Sequence, residues 1–263
     1  MTRRRFYAPR ESFADDGATL FLSEEETRHL RDVLRLRAGD EAFVFDGAGA
    51  EFRCVVADAG GRGRDGRARL EVRGRVESAV PESPLALTLC AALLKGEKFD
   101  LVVQKATELG VVRVVPVETK RAEVRPRNSS DAREATGRLE RWRRLALEAA
   151  KQSGRARLPE ISEPRTLSSL LADIHAEEEQ GDHARLLFAE RGGGSLAEAL
   201  GGRCALAAVT ALVGPEGGWE DAEIEAGREH GWSIVTLGGR TLRAETACIA
   251  VTVLLQHLCG DLK

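Results

Sequence analysis

Cysteine is scarce in this chain of 263 residues: Cys54, Cys90, Cys204, Cys248 and Cys259 are odd in number, scattered, and never in C-x-x-C spacing. That pattern excludes a disulfide frame or a zinc knuckle and fits small buried apolar residues in a reducing compartment. The histidines (His29, His175, His183, His230 and His257) form no ligand pair at helical spacing with a cysteine or carboxylate cluster, so no metal site is expected. No apolar run approaches the length of a membrane span, and Met1-Thr2-Arg3-Arg4-Arg5 leads into no signal-peptide core, which predicts a cytoplasmic protein without a membrane partner. A dominant charge sign is lacking as well. Lys and Arg number 39 against 42 Asp and Glu, and the net charge of −3 leaves room for a local patch of either sign.

Two phosphate-binding signatures are also missing from the glycine-rich loops near the C-terminus. Val213-Gly214-Pro215-Glu216-Gly217-Gly218-Trp219 and Leu237-Gly238-Gly239-Arg240-Thr241-Leu242-Arg243-Ala244-Glu245-Thr246 have neither a Gly-Lys-Ser/Thr ending nor a G-x-G-x-x-G frame. The acid at Glu216 would repel a polyphosphate and suits a neutral or cationic ligand. Each loop follows a short apolar strand and precedes a helix, the arrangement of an open α/β sheet whose ligands sit beyond the carboxyl ends of the strands. Taken alone, Gly214–Gly218 also reads as a tight turn into a helix. The second loop crowds Arg240, Arg243, Glu245 and Thr246 where structure alone asks for a short polar cap. Ala184–Glu190 is a further strand, and Glu190 with the glycines behind it would add a third wall to the same cleft.

Taken in order, residues 1–78 read as a small β-rich domain. Thr19–Leu22 is a strand, and Ser23 caps a helix with Glu24, Glu25 and Glu26 in its first turn. That helix is expected to carry Leu30, Val33 and Leu34 on one face and to end near Gly39. Glu41–Phe45, Glu51–Ala57 and Ala68–Val76 alternate as strands, with a basic glycine-rich tip at Gly60–Arg67. Arg3, Arg4 and Arg5 beside Phe6 and Tyr7 suit phosphate contact with base stacking; equally, the aromatics plug the barrel and the arginines form a frayed terminus. Val80–Pro84 is the expected linker.

Residues 79–263 open with an apolar strand at Leu85–Leu94, then Lys95-Gly96-Glu97-Lys98, an amphipathic helix closed by Gly110, and a strand at Val111–Val117. Strand, helix and strand make a right-handed crossover in a parallel sheet. From Arg113 to Arg157, thirteen Lys or Arg face six acids. A solvated helical face around Leu139–Ala150 accounts for part of that excess, and a polyanion for the rest. Leu167–Gln180, with three glutamates in a row, reads as a surface helix and linker. The last helix, from Ala247 to Leu258, is apolar nearly all round.

Gly214-Pro215-Glu216-Gly217-Gly218, Leu242-Arg243-x-Glu245-Thr246-Ala247, Lys95-Gly96-Glu97-Lys98, Gln104-Lys105-x-x-Glu108-Leu109-Gly110 and Gln152-Ser153-Gly154-Arg155 together resemble the RsmE family of 16S rRNA methyltransferases. The resemblance covers the second domain and, more loosely, the first. It implies an α/β fold with a SPOUT-type parallel sheet and a C-terminal trefoil knot, preceded by a PUA-like RNA-binding β-barrel. It implies S-adenosylmethionine as cofactor, held by Leu212, Gly214, Pro215, Glu216, Gly217, Leu237, Gly238, Leu242, Thr246 and Ala247, with Glu190 alongside. RNA contacts would come from Arg3, Arg4, Arg5, Lys95, Lys98, Lys105, Arg121, Gln152 and Arg155. The implied reaction is methylation of N3 of a uridine in the small ribosomal subunit by a homodimer. Arg243 would stabilise charge on the uracil carbonyls or bind the uridine's phosphate, and Glu245 is the candidate base, although Glu245 or Thr246 could equally cap the last helix. The sequence departs from the family at Ala122, where relatives carry a hydroxyl, and at Gly239 and Thr241. An RNA-binding assembly module, an enzyme acting at another rRNA or tRNA site, and an α/β enzyme using a different nucleotide are the competing readings.

Overall fold

A computed structural model describes residues 3–61, 66–122, 132–174, 182–203 and 206–263. Cys204, His175, the three consecutive glutamates, positions 62–65 of the basic tip and positions 123–131 of the arginine-rich stretch lie outside the described residues. The chain divides into two units, Met1–Glu82 with Ala150–Leu158, and Ser83–Ala149 with Pro159–Lys263. The family of short strands expected at the N-terminus is thus joined by a segment from far along the chain, which no local pattern signals.

In the first unit, β1 (Arg5–Tyr7), β2 (Thr19–Phe21), α1 (Glu24–Arg28), β3 (Glu41–Phe45), β4 (Glu51–Asp58) and β5 (Arg69–Val76) follow in order. The five strands form one sheet in the order β1-β3-β4-β5-β2. Only the β1–β3 pairing is parallel. Its core gathers the inward residues of each strand, including Phe6, Leu20, Val44, Cys54, Val56 and Leu70, with Leu30 from the helical segment. Ser23 caps α1 by accepting from the backbone N–H of Glu26 at 3.2 Å, an interaction worth about 1 kcal/mol.

The next turn departs from expectation. Residues His29–Val33 form a π-turn, closed where Leu34 N–H donates to the His29 carbonyl at 2.9 Å. The wider turn rotates Val33 outward, leaving it 67% exposed, while Leu36 is buried in its stead. Arg35 reverses the chain at φ 54°, the only non-glycine residue with positive φ among the described residues. That conformation costs an L-residue about 1–2 kcal/mol.

The second unit contains β6 (Ala86–Ala92), α2 (Lys98–Glu108), β7 (Arg113–Glu118), α3 (Ala132–Ser153), β8 (Glu160–Ile161), β9 (Arg165–Thr166), α4 (Leu167–Ile174), β10 (His183–Phe188), α5 (Leu196–Leu200), β11 (Ala208–Val213), α6 (Asp221–Glu229), β12 (Ser233–Val235) and α7 (Ala244–Cys259). The last residues of α3 are counted with the first unit. The sheet order is β12-β10-β11-β6-β7-β8, with β9 also on β7, and every pairing is parallel. Alternate residues serve opposite faces, as the two-residue period of a strand demands. Leu87, Leu89, Leu186, Phe188, Ala211 and Val213 join one core with α2, α3 and α7. Cys90, Leu187 and Leu212 join the other with Leu170, Leu171, Trp219 and Ile224.

This second core corrects the surface reading of α4, whose Leu167, Leu170 and Leu171 are all buried. Helix α3 keeps Leu139, Trp142, Ala146 and Ala149 inward while Arg141, Arg143 and Arg144 are exposed, as its period predicts. Near the end of α7, the fully buried Gln256 donates to the Leu109 carbonyl at 2.8 Å and accepts from Ser83 Oγ at 2.7 Å. That amide ties the last helix to the C-terminus of α2.

Candidate active site

Because β10, β11 and β12 run parallel and side by side, their carboxyl ends bring three following loops together. Between them lies a cavity of about 320 Å³, lined by Phe188–Glu190, Val213–Trp219 and Thr236–Leu242, with Ala244, Ala247 and Val251 from α7 behind. Its volume falls at the small end of the range for small-molecule sites, roughly 300–1,000 Å³. Glu190, Gly214, Pro215, Glu216, Gly217, Leu237, Gly238, Leu242 and Ala247 all line it, as the sequence led us to expect. Leu212 and Thr246 do not. The Leu212 side chain is fully buried in the core on the α6 side of the sheet, because its neighbour Val213 takes the position facing the other way. Thr246 is exposed on the first turn of α7.

Sequence reasoning did not single out Phe188, Trp219, Thr236 or Val251. Trp219 was the one with a signal, an aromatic directly following a run of glycines. It is fully buried, and its indole Nε1 donates to the Phe188 carbonyl at 2.9 Å, linking the β10 and β11 ends. A Cβ on Gly214 would stand 2.6 Å from that Nε1, so the indole occupies the space a side chain would need. At Gly218, with φ 69°, a Cβ would meet the Glu190 carboxylate at 2.5 Å. The third wall is fastened similarly: Thr236 N–H donates to the Gly194 carbonyl at 2.9 Å and Thr236 Oγ1 accepts from Gly193 N–H at 3.2 Å. Gly238 and Gly239, at φ 74° and 76°, have no atom within 4 Å of where a Cβ would stand.

The charges of the site come in pairs. Arg191 bridges Glu190 and Asp221 and donates to the Trp219 carbonyl at 3.0 Å. Its partnership holds the Asp221 carboxyl below the usual range. Lys98, at the start of α2, pairs with Glu216. That hydrogen bond raises the Lys98 ammonium above its usual range, and Glu245 adds to the effect while Arg243 opposes it. The four residues therefore share one electrostatic neighbourhood. Arg243 is the N-cap residue of α7, is exposed, and makes no side-chain capping hydrogen bond. Glu245 is only 9% exposed, and its Oε2 has no hydrogen-bond partner. Neither Arg243 nor Glu245 is among the cavity-lining residues.

The residues expected to meet RNA fare unequally. Arg5 is bound at 3.2 Å to Glu51, itself fully buried, and also donates to the Arg155 carbonyl at 2.9 Å. Arg155 is 4% exposed and paired with Glu82 at 2.9 Å. Both are internal braces of the first unit, unavailable to a phosphate, and this corrects the expectation for them. Arg3 is half-buried against Glu51 at 3.0 Å and the Glu77 carbonyl at 2.7 Å. Phe6 is fully buried, so it plugs the sheet and cannot stack on a base. Lys105 pairs with Glu108 at 2.8 Å, and Arg121 donates to the Gly217 carbonyl at 3.3 Å. Arg4, Lys95 and Gln152 are exposed. Ala122, the departure noted above, is buried.

Among the described residues no group of three or more His, Cys, Asp or Glu is placed to hold a metal ion. Nor is any described helix long and apolar enough to cross a membrane.

Known proteins resemble this chain in sequence and in fold. An RNA methyltransferase domain model matches residues 81–256, and an RNA methyltransferase PUA domain model matches residues 22–71. Ribosomal RNA small subunit methyltransferase E of Synechocystis is 34% identical over 230 residues, covering 88% of this chain and 70% of that protein. Among solved structures, a ribosomal RNA small subunit methyltransferase E from Neisseria gonorrhoeae bound to S-adenosyl methionine superposes with a TM-score of 0.82, 30% identity and full coverage of both chains. A putative methyltransferase from Legionella pneumophila in complex with bound SAM gives the same score, identity and coverage. With its SPOUT-type parallel sheet and PUA-like first unit, the chain belongs to the RNA methyltransferase family that includes ribosomal RNA small subunit methyltransferase E.

Proposed function

We propose that the protein transfers a methyl group from S-adenosylmethionine to N3 of a uridine in 16S rRNA of the small ribosomal subunit. The observation that carries this reading is the cavity where the three loops converge, formed by the residues that carry the family resemblance. Its lining suits the cofactor. Leu237, Leu242 and Val251 offer apolar surface to an adenine, the open positions beside Gly238 and Gly239 leave room for it, and Glu190 and Glu216 are anionic where a sulfonium and an ammonium are cationic. When bound, the cofactor supplies an activated methyl on a positively charged sulfur.

The rest of the chemistry falls to side chains. Uracil N3 carries a proton at neutral pH, so one proton must leave for each methyl gained. Glu245 takes that role: a buried carboxylate with an unpaired oxygen retains acceptor capacity. Arg243, exposed at the N-terminus of α7, stabilises the negative charge that develops on the uracil carbonyls. Lys98 and Arg121, which bond the cavity-lining Glu216 and Gly217, serve the RNA together with the exposed Lys95. In this reading the C-terminal chain is threaded as a trefoil knot. A second copy of the protein covers the α7 face where Val253, Leu254 and Leu258 are 36–39% exposed. In this reading an RNA-binding domain spans residues 1–78 and a methyltransferase domain residues 79–263, and the reaction belongs to the cytoplasm.

Transfer of tritium from labelled S-adenosylmethionine to undermethylated small subunits tests the reaction, with the methylated position mapped by nuclease digestion and mass spectrometry. Wild type should modify a single uridine and Arg243→Ala should lose at least tenfold in kcat. Cofactor binding without transfer would leave a binding module, and a label on another base or on a ribose would replace the assigned atom.

A further inference from the structure

The first unit was expected to meet RNA through its N-terminal arginines, yet Arg3 and Arg5 are occupied by Glu51. Arg4 alone of the three is exposed there, and two further exposed cations lie together elsewhere. A groove of about 610 Å³ opens at the π-turn after α1, lined by Arg31, Asp32, Arg35, Leu36, Arg37 and Ala59. Arg31 forms its edge and is fully engaged, donating to both Asp32 oxygens at 2.8 Å and to the Gly61 carbonyl at 2.7 Å. Asp32 is thereby neutralised. Arg35 and Arg37 are exposed, and neither guanidinium has a hydrogen-bond or ion-pair partner among the described residues.

The backbone makes Arg35 unusual. Its left-handed φ of 54° belongs where glycine or asparagine ordinarily ends a helix, and a glycine there would remove the strain. Among the described residues no hydrogen bond or ion pair of the Arg35 side chain offsets that cost. The same turn leaves Val33 67% exposed beside the groove. Two planar forks with no hydrogen-bond or ion-pair partner among the described residues share one bend with an Asp32 already held by Arg31, and such forks are complementary to a run of phosphates.

We infer that the π-turn surface of the first unit, centred on Arg35 and Arg37, is where this protein grips the phosphate backbone of its rRNA substrate. The inference rests on the rRNA reading above and relocates the contact from the N-terminus to this bend. Arg35 is held in a strained conformation because its guanidinium is needed outside the molecule.

The test uses the full chain, a 16S rRNA transcript, and binding measured at several salt concentrations. Arg35→Gly should melt at the same or a higher temperature than wild type, yet bind the transcript about fivefold to tenfold more weakly near 0.15 M salt, with the salt slope reduced by about one. Arg37→Gln, which leaves the turn unchanged, should weaken binding to a similar extent, and the double variant should lower the slope by about two. S-adenosylmethionine affinity should stay at the wild-type value in all three. Unchanged RNA affinity and slope in Arg35→Gly and Arg37→Gln would overturn the inference while leaving the rRNA reading intact. A wild-type protein that shows no salt-dependent binding of the transcript would overturn both.

Discussion

The two glycine-rich loops at the cavity look alike in sequence and work differently. In Gly214–Gly218 every glycine is accounted for by neighbouring protein: Trp219 lies against Gly214, Arg121 against Gly217, and Glu190 against Gly218. In Leu237–Leu242 nothing stands within 4 Å of where Gly238 and Gly239 would place a Cβ. The first loop needs glycine so that the protein can pack on itself. The second needs it for backbone conformations with positive φ and for space left open. One loop is thus a rigid wall and the other a wall shaped around absence, which is what a site must combine to hold a ligand in one orientation and still admit it.

The sharpest way to break this comparison is Gly214→Ala. Its new methyl would lie 2.6 Å from the indole nitrogen of a fully buried Trp219, so the ring would have to shift. Overpacking of this kind costs about 1–3 kcal/mol. The hydrogen bond from Trp219 to the Phe188 carbonyl would be lost or bent, so thermal unfolding should fall by several degrees and S-adenosylmethionine binding, read by calorimetry, should drop by more than tenfold. A variant with wild-type melting and affinity would show that the first loop is not built on Trp219. Gly218→Ala should follow with a smaller loss, since the atom it meets is the end of the Glu190 side chain, which can rotate away, though the backbone at φ 69° still resists a side chain by about 1 kcal/mol.

How far such differences could be read from the chain depends on their range. The strand–helix–strand run from Leu85, the Gly110 helix end, the Ser23 cap and the meeting of three loops at one cavity follow from local pattern, whereas the roles of single residues in that cavity came only from the family resemblance. Ring packing against a glycine five residues away does not, because a Gly-rich turn reads the same whether it faces a ligand or an indole. The buried braces were illegible for a related reason. Arg5 and Glu51 are 46 positions apart, and Arg155 and Glu82 are 73, so an exposed basic motif and an internal ion pair have identical sequences. Val33 was misplaced because a single π-turn shifts the helical phase that the pattern assumes to be constant.

Charge offers a third, milder probe. Glu216 belongs to the packed loop but its carboxylate reaches outward to Lys98. Glu216→Gln should leave melting nearly unchanged at neutral pH, since exposed pairs contribute little, while weakening S-adenosylmethionine binding about fivefold to tenfold through loss of an anion facing a cation. The Lys98 ammonium has its pKa raised in the folded protein, so whatever the pair contributes is present below the ordinary lysine range and fades as pH rises through the raised value. Melting curves of wild type and Glu216→Gln should therefore converge in strong alkali. A difference that widened with pH would mean that Lys98 is not held by Glu216.

Gly239→Ala sharpens the comparison from the open side and should disturb the fold less than Gly214→Ala does. With no atom near the new methyl, the cost is confined to the backbone at φ 76°, about 1 kcal/mol or a few degrees of melting. Ligand binding should respond differently from stability, because the methyl intrudes on the one part of the wall that is unfilled. If Gly239→Ala lost affinity no more than its melting shift accounts for, the open loop would be a turn and nothing else. If affinity fell tenfold at nearly unchanged melting, the space beside Gly238 and Gly239 is the space the ligand fills.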